Sequence, residues 1–399
     1  MRRDLVATGS LMGVGMLTVA SSAIVVPSLL EFAEYFGGGV AGANAANLFL
    51  VMPSVGLVAA APVAGWLADR FGRWHTLLGS VVLLVLSGVS GYWTTQYPLM
   101  LMERFVLGCS IAGTITSSAS LLGALPEEAR RQSLLGKQSA FTNVAGLTYL
   151  FLGGQLAAVH WQLPFLIYLW PVVLVPFLVV SLRTQSPALV PKVEVSGKGF
   201  AVWLRGPAMP ILLLAWGLGC LTMIFIYSLF TVHPYRMQQL GLDDPRIVSL
   251  TIMMAAASSA VASWNLRRIG RHLGPYPVFA LTFLLFAAGF LIVAVASELW
   301  HVVLGNLVLG IGMGLPVPNG AAWLSGLTPG LWRSRVLGVF NTFVYMGQFL
   351  SLWLIRAANS FSPHIHHVHW GLGLACLGIA CLMAATVSYV HRLSSRLET

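Results

Sequence analysis

Twelve continuous apolar runs follow one another along the chain, at about 8–34, 45–67, 75–94, 99–123, 136–158, 163–182, 208–231, 247–266, 276–296, 301–325, 336–357 and 369–391. Each is close to the roughly 20 residues that carry a helix across the hydrocarbon core of a bilayer. No water reaches that core, so every backbone N–H and C=O there must be satisfied within the protein, and only helices or closed barrels span it. The runs are continuously apolar rather than alternating, which argues against a barrel. Composition agrees: 57% of the 399 residues are hydrophobic and 9% are charged, and the mean hydropathy is +0.82. So few charges could not cover so much apolar surface in water. The expectation is an all-α integral membrane protein of twelve transmembrane helices, with abutting runs leaving ten or eleven spans open.

The first run has the charged start, apolar middle and small-residue end of a secretory leader, with "ASSA" at 20–23 as the cleavage-like site. Its apolar character continues through Val25 and Val26 to Leu30. Eleven further spans also need a first one for an even count, so the run is expected to remain as helix one. Positive charge then orients the bundle. With the N-terminus in the cytoplasm, only Arg104, Arg236, Arg246 and Arg356 of the 22 Lys and Arg fall outside or at outer helix ends. That asymmetry is the positive-inside pattern. It places both termini in the cytoplasm, as expected for a multi-pass protein of a bacterial inner membrane. It also explains the net charge of +10 through topology and anionic lipid, without nucleic acid.

One polar stretch, "LRTQSPALVPKVEVSGKGFAVWLRGP" at 182–207, falls between runs six and seven. It divides the chain into six-helix bundles at 1–182 and 208–399, joined by a cytoplasmic linker at 183–207. The halves echo each other. Aligning Gly72 with Gly270, an offset of 198, lays "WLADRFGR" on "WNLRRIGR". "RFVLG" at 104–108 pairs with "NLVLG" at 306–310, and "RRQSLLG" at 130–136 with "WRSRVLG" at 332–338. These last two share an offset of 202, which implies about four residues gained in between. Two such repeats suggest alternating access around a central site.

"GWLADRFGR" at 65–73 crowds Asp69, Arg70 and Arg73 into one bend between apolar runs, with Gly65 and Gly72 offering backbone freedom. It resembles the loop 2–3 signature of the major facilitator superfamily through Gly65, Leu67, Asp69, Arg70, Gly72 and Arg73. "LMERFVLGCSIAG" at 101–113 resembles the fourth-helix signature through Arg104 and Gly108, and "LPEEARRQSLLG" the loop that follows. The resemblance covers the whole chain and is greatest to the twelve-span drug:proton antiporter type. It implies a monomeric secondary transporter that moves a small-molecule substrate, coupled to protons, without a cofactor. It assigns Asp69 to a latch against helix eleven, and the arginines of the bend to acids such as Glu127 and Glu128. Arg267 stands where Asp69 would repeat, so the mirrored latch is expected to be lost. The alternative for this bend is a solvated positive-inside loop.

The resemblance also places Arg104 at the cavity in proton coupling. Glu103 precedes it, and Glu31 and Glu34 near the outer end of helix one are plausible partners; the alternative is that these glutamates are exposed loop acids. Protonating Glu31 would weaken a pair with Arg104. The family's antiporters often carry G-x-x-x-G-P-x-x-G-G on helix five. Here "VAGLTYLFLGG" at 144–154 keeps Gly153 and Gly154 but has Tyr149 and Leu150 for the Gly-Pro pair, which leaves uptake open beside export.

Asn143, Asn306, Asn341, Tyr345 and Gln348 are polar groups inside spans, read as lining the cavity or as hydrogen-bonding glue between helices. Trp216, Cys220, Met223 and Tyr227 form a stripe on helix seven, either packing or a substrate wall. Cys109, Cys220, Cys376 and Cys381 lie within spans and imply no disulfide framework. "HIHHVHW" at 364–370 gathers His364, His366, His367 and His369. They are weak metal candidates on a loop that needs no metal. No phosphate-binding Gly-rich loop with Lys-Ser/Thr is present, which argues against an ATP-driven pump, and no nucleophile–base spacing suggests an enzyme. A sensor or assembly factor on the same fold is the reading of a different class.

Overall fold

The computed structural model describes residues 2–123, 128–184, 206, 208–329, 332–361 and 365–398, and those residues form helices and turns without a strand. Contacts divide the chain into two compact units, Met1–Lys192 with Asp243–Leu250 and Val193–Leu242 with Thr251–Thr399. The first holds α1 (Arg2–Met16), α2 (Ala20–Ala23), α3 (Leu29–Tyr35), α4 (Gly39–Phe71), α5 (Arg73–Val89), α6 (Tyr97–Gly123), α7 (Glu128–Ala157) and α8 (Leu174–Thr184). The second holds α9 (Met209–Gln239), α10 (Pro245–Leu273) from Thr251 onward, α11 (Pro275–Ala294), α12 (Leu299–Met313), α13 (Pro316–Leu327), α14 (Arg333–Phe361) and α15 (Ile365–Glu398).

Among the described residues, eleven helical stretches are long and apolar enough to cross a membrane. They coincide with eleven of the twelve expected runs. The remaining run, 136–158, lies in α7, which is 30 residues long but carries Lys137, Gln138, Thr142 and Asn143 in its middle turns.

The first span, Gly9–Tyr35, is not one regular helix. Tight 3-10 turns at Leu17–Val19 and Val26–Ser28 interrupt it. Thr18, Ser21, Ser22 and Pro27 explain the interruption. The Thr18 hydroxyl donates back to Gly15 O at 2.9 Å. Pro27 has no N–H to offer, and Val25 N reaches Ser22 O rather than Ser21 O. The Ser21 carbonyl is thereby freed from the helical ladder.

The repeat is tighter in the structure than in the sequence. α4 and α5 are joined by Gly72 alone, at φ 93°, and α10 and α11 by Gly274 alone, at φ 77°. Both lie in the left-handed region that favours glycine. Gly72 therefore corresponds to Gly274, not Gly270, and the offset is 202, the value of the other two echoes. Packing supports this register. A Cβ on Gly108 would collide with Pro53 O, and one on Gly310 with Ala255 O; each pair is again 202 apart. No residues were gained between the echoes. The counterpart of Asp69 becomes Arg271 rather than Arg267, and it is still a cation.

Both cores are aromatic. Phe32, Phe49, Phe165 and Tyr168 are fully buried in the first unit. In the second, α11 presents Phe279, Phe283, Phe286 and Phe290 on a single helical stripe, all buried.

Candidate functional site

Arg104 stands on α6 with 3% of its surface exposed. Its guanidinium lies over the Phe49 ring at 4.3 Å and beside Phe165 at 5.0 Å and Tyr168 at 5.8 Å. Nη1 donates to the Ser21 carbonyl at 3.3 Å and to the Tyr168 hydroxyl at 3.1 Å. Tyr168 passes its own proton to Ala20 O at 3.0 Å. Arg104 and Tyr168 thus satisfy carbonyls at the break in helix one, which is how irregular backbone is tolerated at membrane depth. Nη2 is buried and has no hydrogen-bond partner.

Among the described residues no carboxylate lies within ion-pair distance of Arg104. Glu31 is half-buried on α3, ten residues beyond Ser21 and past the 3-10 turn at Val26–Ser28. Glu34 is exposed. Glu103 is turned away from its neighbour and accepts the Thr94 hydroxyl at 2.6 Å, fastening the α5–α6 turn. The cation is therefore held by neutral oxygens and π faces.

At the bend, Asp69 and Arg70 are exposed. The Arg70 guanidinium packs 5.2 Å from the Trp66 ring and 5.7 Å from Phe71. Arg73 donates to Ser120 O at 2.9 Å, tying α5 to the end of α6. Glu127 lies outside the described residues, as does the side chain of Glu128. Gly65 sits mid-helix in α4 with nothing within 4 Å of a would-be Cβ, so the freedom of the bend resides in Gly72.

The second unit carries buried polar groups: His233, which the sequence reading missed, with Asn306 and His369, which it singled out, and Arg236, which it placed at an outer helix end. His233 on α9 is fully buried, and its Nε2 lies 2.8 Å from Thr251 Oγ1. Its Nδ1 has no hydrogen-bond partner. Asn306 on α12 donates to Thr251 O at 3.0 Å. His369 on α15 is fully buried and meets the Phe290 ring edge-on at 6.2 Å. Arg236 donates to Val293 O, Ala294 O and Ala296 O at 3.2, 3.1 and 2.7 Å, capping the last two carbonyls of α11 and one just beyond its end. The signal was in "TVHPYR" at 231–236. The seventh apolar run ends at 231, ahead of Pro234, whereas α9 continues through that proline to Gln239.

Asn306 and Thr251 occupy the positions of Arg104 and Phe49 in the repeat, each 202 later. The first unit fills that contact with a cation on a ring and the second with an amide on a carbonyl.

The remaining sequence-selected residues are dispersed. Asn143 and Asn341 are exposed, and Tyr345 and Gln348 half-buried. Trp216 is buried and stacks on Phe343 at 5.8 Å; Tyr227 is buried beside Phe230 at 5.6 Å. Tyr149, at the altered helix-five position, accepts Trp170 Nε1 at 2.8 Å. A small pocket of about 130 Å³ in the first unit is lined by Thr18, Ser118, Gln138 and Thr142, among others. His364 lies outside the described residues; the His366 and His367 rings are 4.1 Å apart, and His369 is buried apart from solvent. Among the described residues no three metal-ligating side chains cluster.

A sequence profile of the Major Facilitator Superfamily matches residues 11–352. The chain is 23% identical over 381 residues to the multi-drug resistance efflux pump PmrA of Streptococcus pneumoniae, covering 92% of each protein. It is 28% identical over 131 residues to the probable inositol transporter 3 of Arabidopsis thaliana, 33% of this chain and 21% of that protein. Among solved structures, a D-xylose-proton symporter superposes with a TM-score of 0.73 at 18% identity, over 95% of this chain and 96% of the other. A POT family transporter superposes with a TM-score of 0.74 at 13% identity, over 96% of each.

Proposed function

Because the chain belongs to the Major Facilitator Superfamily, a family of membrane transporters, we propose that it exports a drug-like or metabolite solute by alternating access, coupled to protons. The observation that carries coupling is Arg104. A cation is costly inside a membrane and is usually kept for a partner or a pathway. This one is buried, immobilised by neutral groups, and keeps Nη2 unpaired. It is poised for a carboxylate that arrives in another state of the cycle, with Glu31 as the acceptor. Export is supported by the likeness to the efflux pump over nearly the whole chain. Asp69 would act as the inner latch, with the termini cytoplasmic and the protein working as a monomer.

Uptake of a small polar metabolite is the second reading. Two observations favour it: Tyr149 and Leu150 replace the antiporter Gly-Pro pair, and the small first-unit pocket is lined by neutral hydrogen-bonding side chains.

Metabolite and drug-susceptibility profiling of a deletion strain selects the solute. Its flux is then followed in everted vesicles with an imposed pH gradient. Gradient-driven accumulation that collapses with an uncoupler is the expected result. Flux indifferent to the gradient would make the protein a facilitator. No flux of any solute would turn the reading to a sensor.

A further inference from the structure

A cavity of about 730 Å³ lies within the first unit between α4, α5 and α6. α4 and α6 touch backbone to backbone where Gly56 meets Phe105 O and Gly108 meets Pro53 O. Toward the 65–73 bend their side chains leave a trough, walled by Ala60, Val63, Leu67, Phe71, Leu83 and Phe105. Its polar side chains are largely spent on the backbone. Thr76 donates to Gly72 O, Cys109 to Gly56 O and Ser110 to Leu107 O. The walls therefore offer an occupant mainly apolar surface, in a volume usual for a small-molecule site. One end is different. His75 is exposed and lines the mouth, and Arg70 packs against Phe71, itself a wall residue.

We propose that this trough holds an acyl chain of an anionic phospholipid, whose phosphate sits at Arg70 and His75. An apolar slot with His75 at its mouth and Arg70 beside the wall residue Phe71 matches a lipid in both parts, since basic pockets between transmembrane helices bind anionic headgroups. Val63, Phe71 and Leu83 on its rim are exposed large hydrophobics, as a lateral opening toward lipid requires. This site is independent of the direction and coupling of transport.

Cys109 on the cavity wall reports occupancy. In a chain with Cys220, Cys376 and Cys381 changed to Ser, delipidated in detergent, Cys109 is labelled with N-ethylmaleimide with and without added phosphatidylglycerol or phosphatidylcholine. Bound lipid is counted in parallel by native mass spectrometry. Phosphatidylglycerol should be retained and should slow labelling about tenfold more than phosphatidylcholine. The double change Arg70→Gln with His75→Ala should erase that preference. Ala60→Phe should abolish retention by filling the trough; should it misfold, Val63→Trp does the same from the rim. Equal retention of the two lipids, or retention undisturbed by the filling variants, overturns the proposal. Protection by a bare hydrocarbon equal to that by phosphatidylglycerol overturns the headgroup site.

Discussion

The Arg104 guanidinium donates to the Ser21 carbonyl at 3.3 Å, joining a buried cation on the fourth span to a break in the first. Helix one is interrupted where Pro27 and a run of hydroxyl residues weaken its ladder. Arg104 supplies the donor that Ser21 O lacks, and Tyr168 adds a second donor to Ala20 O, which also accepts from Ile24 N at 3.4 Å. A residue read from sequence as a coupling switch is therefore also a structural tie. Any later movement of Arg104 toward a carboxylate would release the Ser21 carbonyl and so act on the shape of helix one.

Arg104→Ala should accordingly cost stability as well as transport. It removes two charge-assisted hydrogen bonds and a desolvated cation–π contact, together about 3–5 kcal/mol. Arg104→Lys keeps a charge near Phe49 but lacks the planar guanidinium that covers the ring while its Nη1 reaches both Ser21 O and the Tyr168 hydroxyl. It should fold with an intermediate melting temperature and lose most gradient-driven flux. Thermal melts in detergent and vesicle flux test both. Full flux in Arg104→Lys would leave Arg104 a purely structural residue.

Tyr168→Phe isolates the tie from the charge. The hydroxyl accepts from Arg104 and donates to Ala20 O in a fully buried position, so its loss should cost about 1–3 kcal/mol. Melting unchanged from the parent protein would mean that the break in helix one needs no such support.

The glycines of the opening motif should separate cleanly. Gly72→Ala and Gly274→Ala each force a side chain into positive φ and should cost about 1–2 kcal/mol. Gly65→Ala, in regular helix with open space around it, should be neutral or stabilise by up to about 1 kcal/mol. Comparable losses at Gly72 and Gly274, read by thermal melting, would follow from their equivalence in the repeat. A large loss at Gly65 would show that the space beside it is filled in the membrane.

Much of this architecture was legible in the chain. Continuous apolar runs fixed nearly every span, because a bilayer imposes length and hydropathy directly. The repeat was visible too, but its register slipped at the bend. There, "WLADRFGR" and "WNLRRIGR" match best four residues from where Gly274 turns the chain. Chemical similarity of residues at the helix ends outweighed the backbone requirement, which sequence shows only as one more glycine. The candidate site was half legible. Arg104 stood out because charge is rare inside spans. Its partners did not, since a freed carbonyl, a ring face and a tyrosine hydroxyl leave no charge pattern. His233 was hidden by Pro234, a helix breaker in sequence through which α9 nevertheless continues.

Asp69→Asn tests the proposed inner latch. Asp69 is exposed at the end of α4, and a carboxylate there can act on a neighbouring helix N-terminus through its dipole. Without the charge, the resting population should shift toward inward-open, and single cysteines facing the cavity should label faster from the cytoplasmic side. A folded variant with unchanged labelling would assign the bend to topology alone.

Coupling itself rests on which buried group takes the proton. Glu31 is half-buried on the segment that Arg104 braces, and His233 is a fully buried titratable side chain in the other unit with Nδ1 unsatisfied. In the export cycle, a proton entering from outside would neutralise Glu31, leave Arg104 to its neutral partners, and free the substrate. Deprotonation toward the cytoplasm would restore an acid for Arg104. Glu31→Gln mimics the protonated state permanently. It should abolish dependence on the pH gradient while substrate exchange across vesicles continues. His233→Gln keeps a side-chain amide within reach of Thr251, so packing is largely preserved. If Glu31 is the carrier, that variant should retain gradient-driven flux within about twofold, a difference of about 0.4 kcal/mol. The reverse pattern, a gradient-driven Glu31→Gln and an uncoupled His233→Gln, would move the proton site into the second unit. Arg104 would then be a tie for helix one and nothing more.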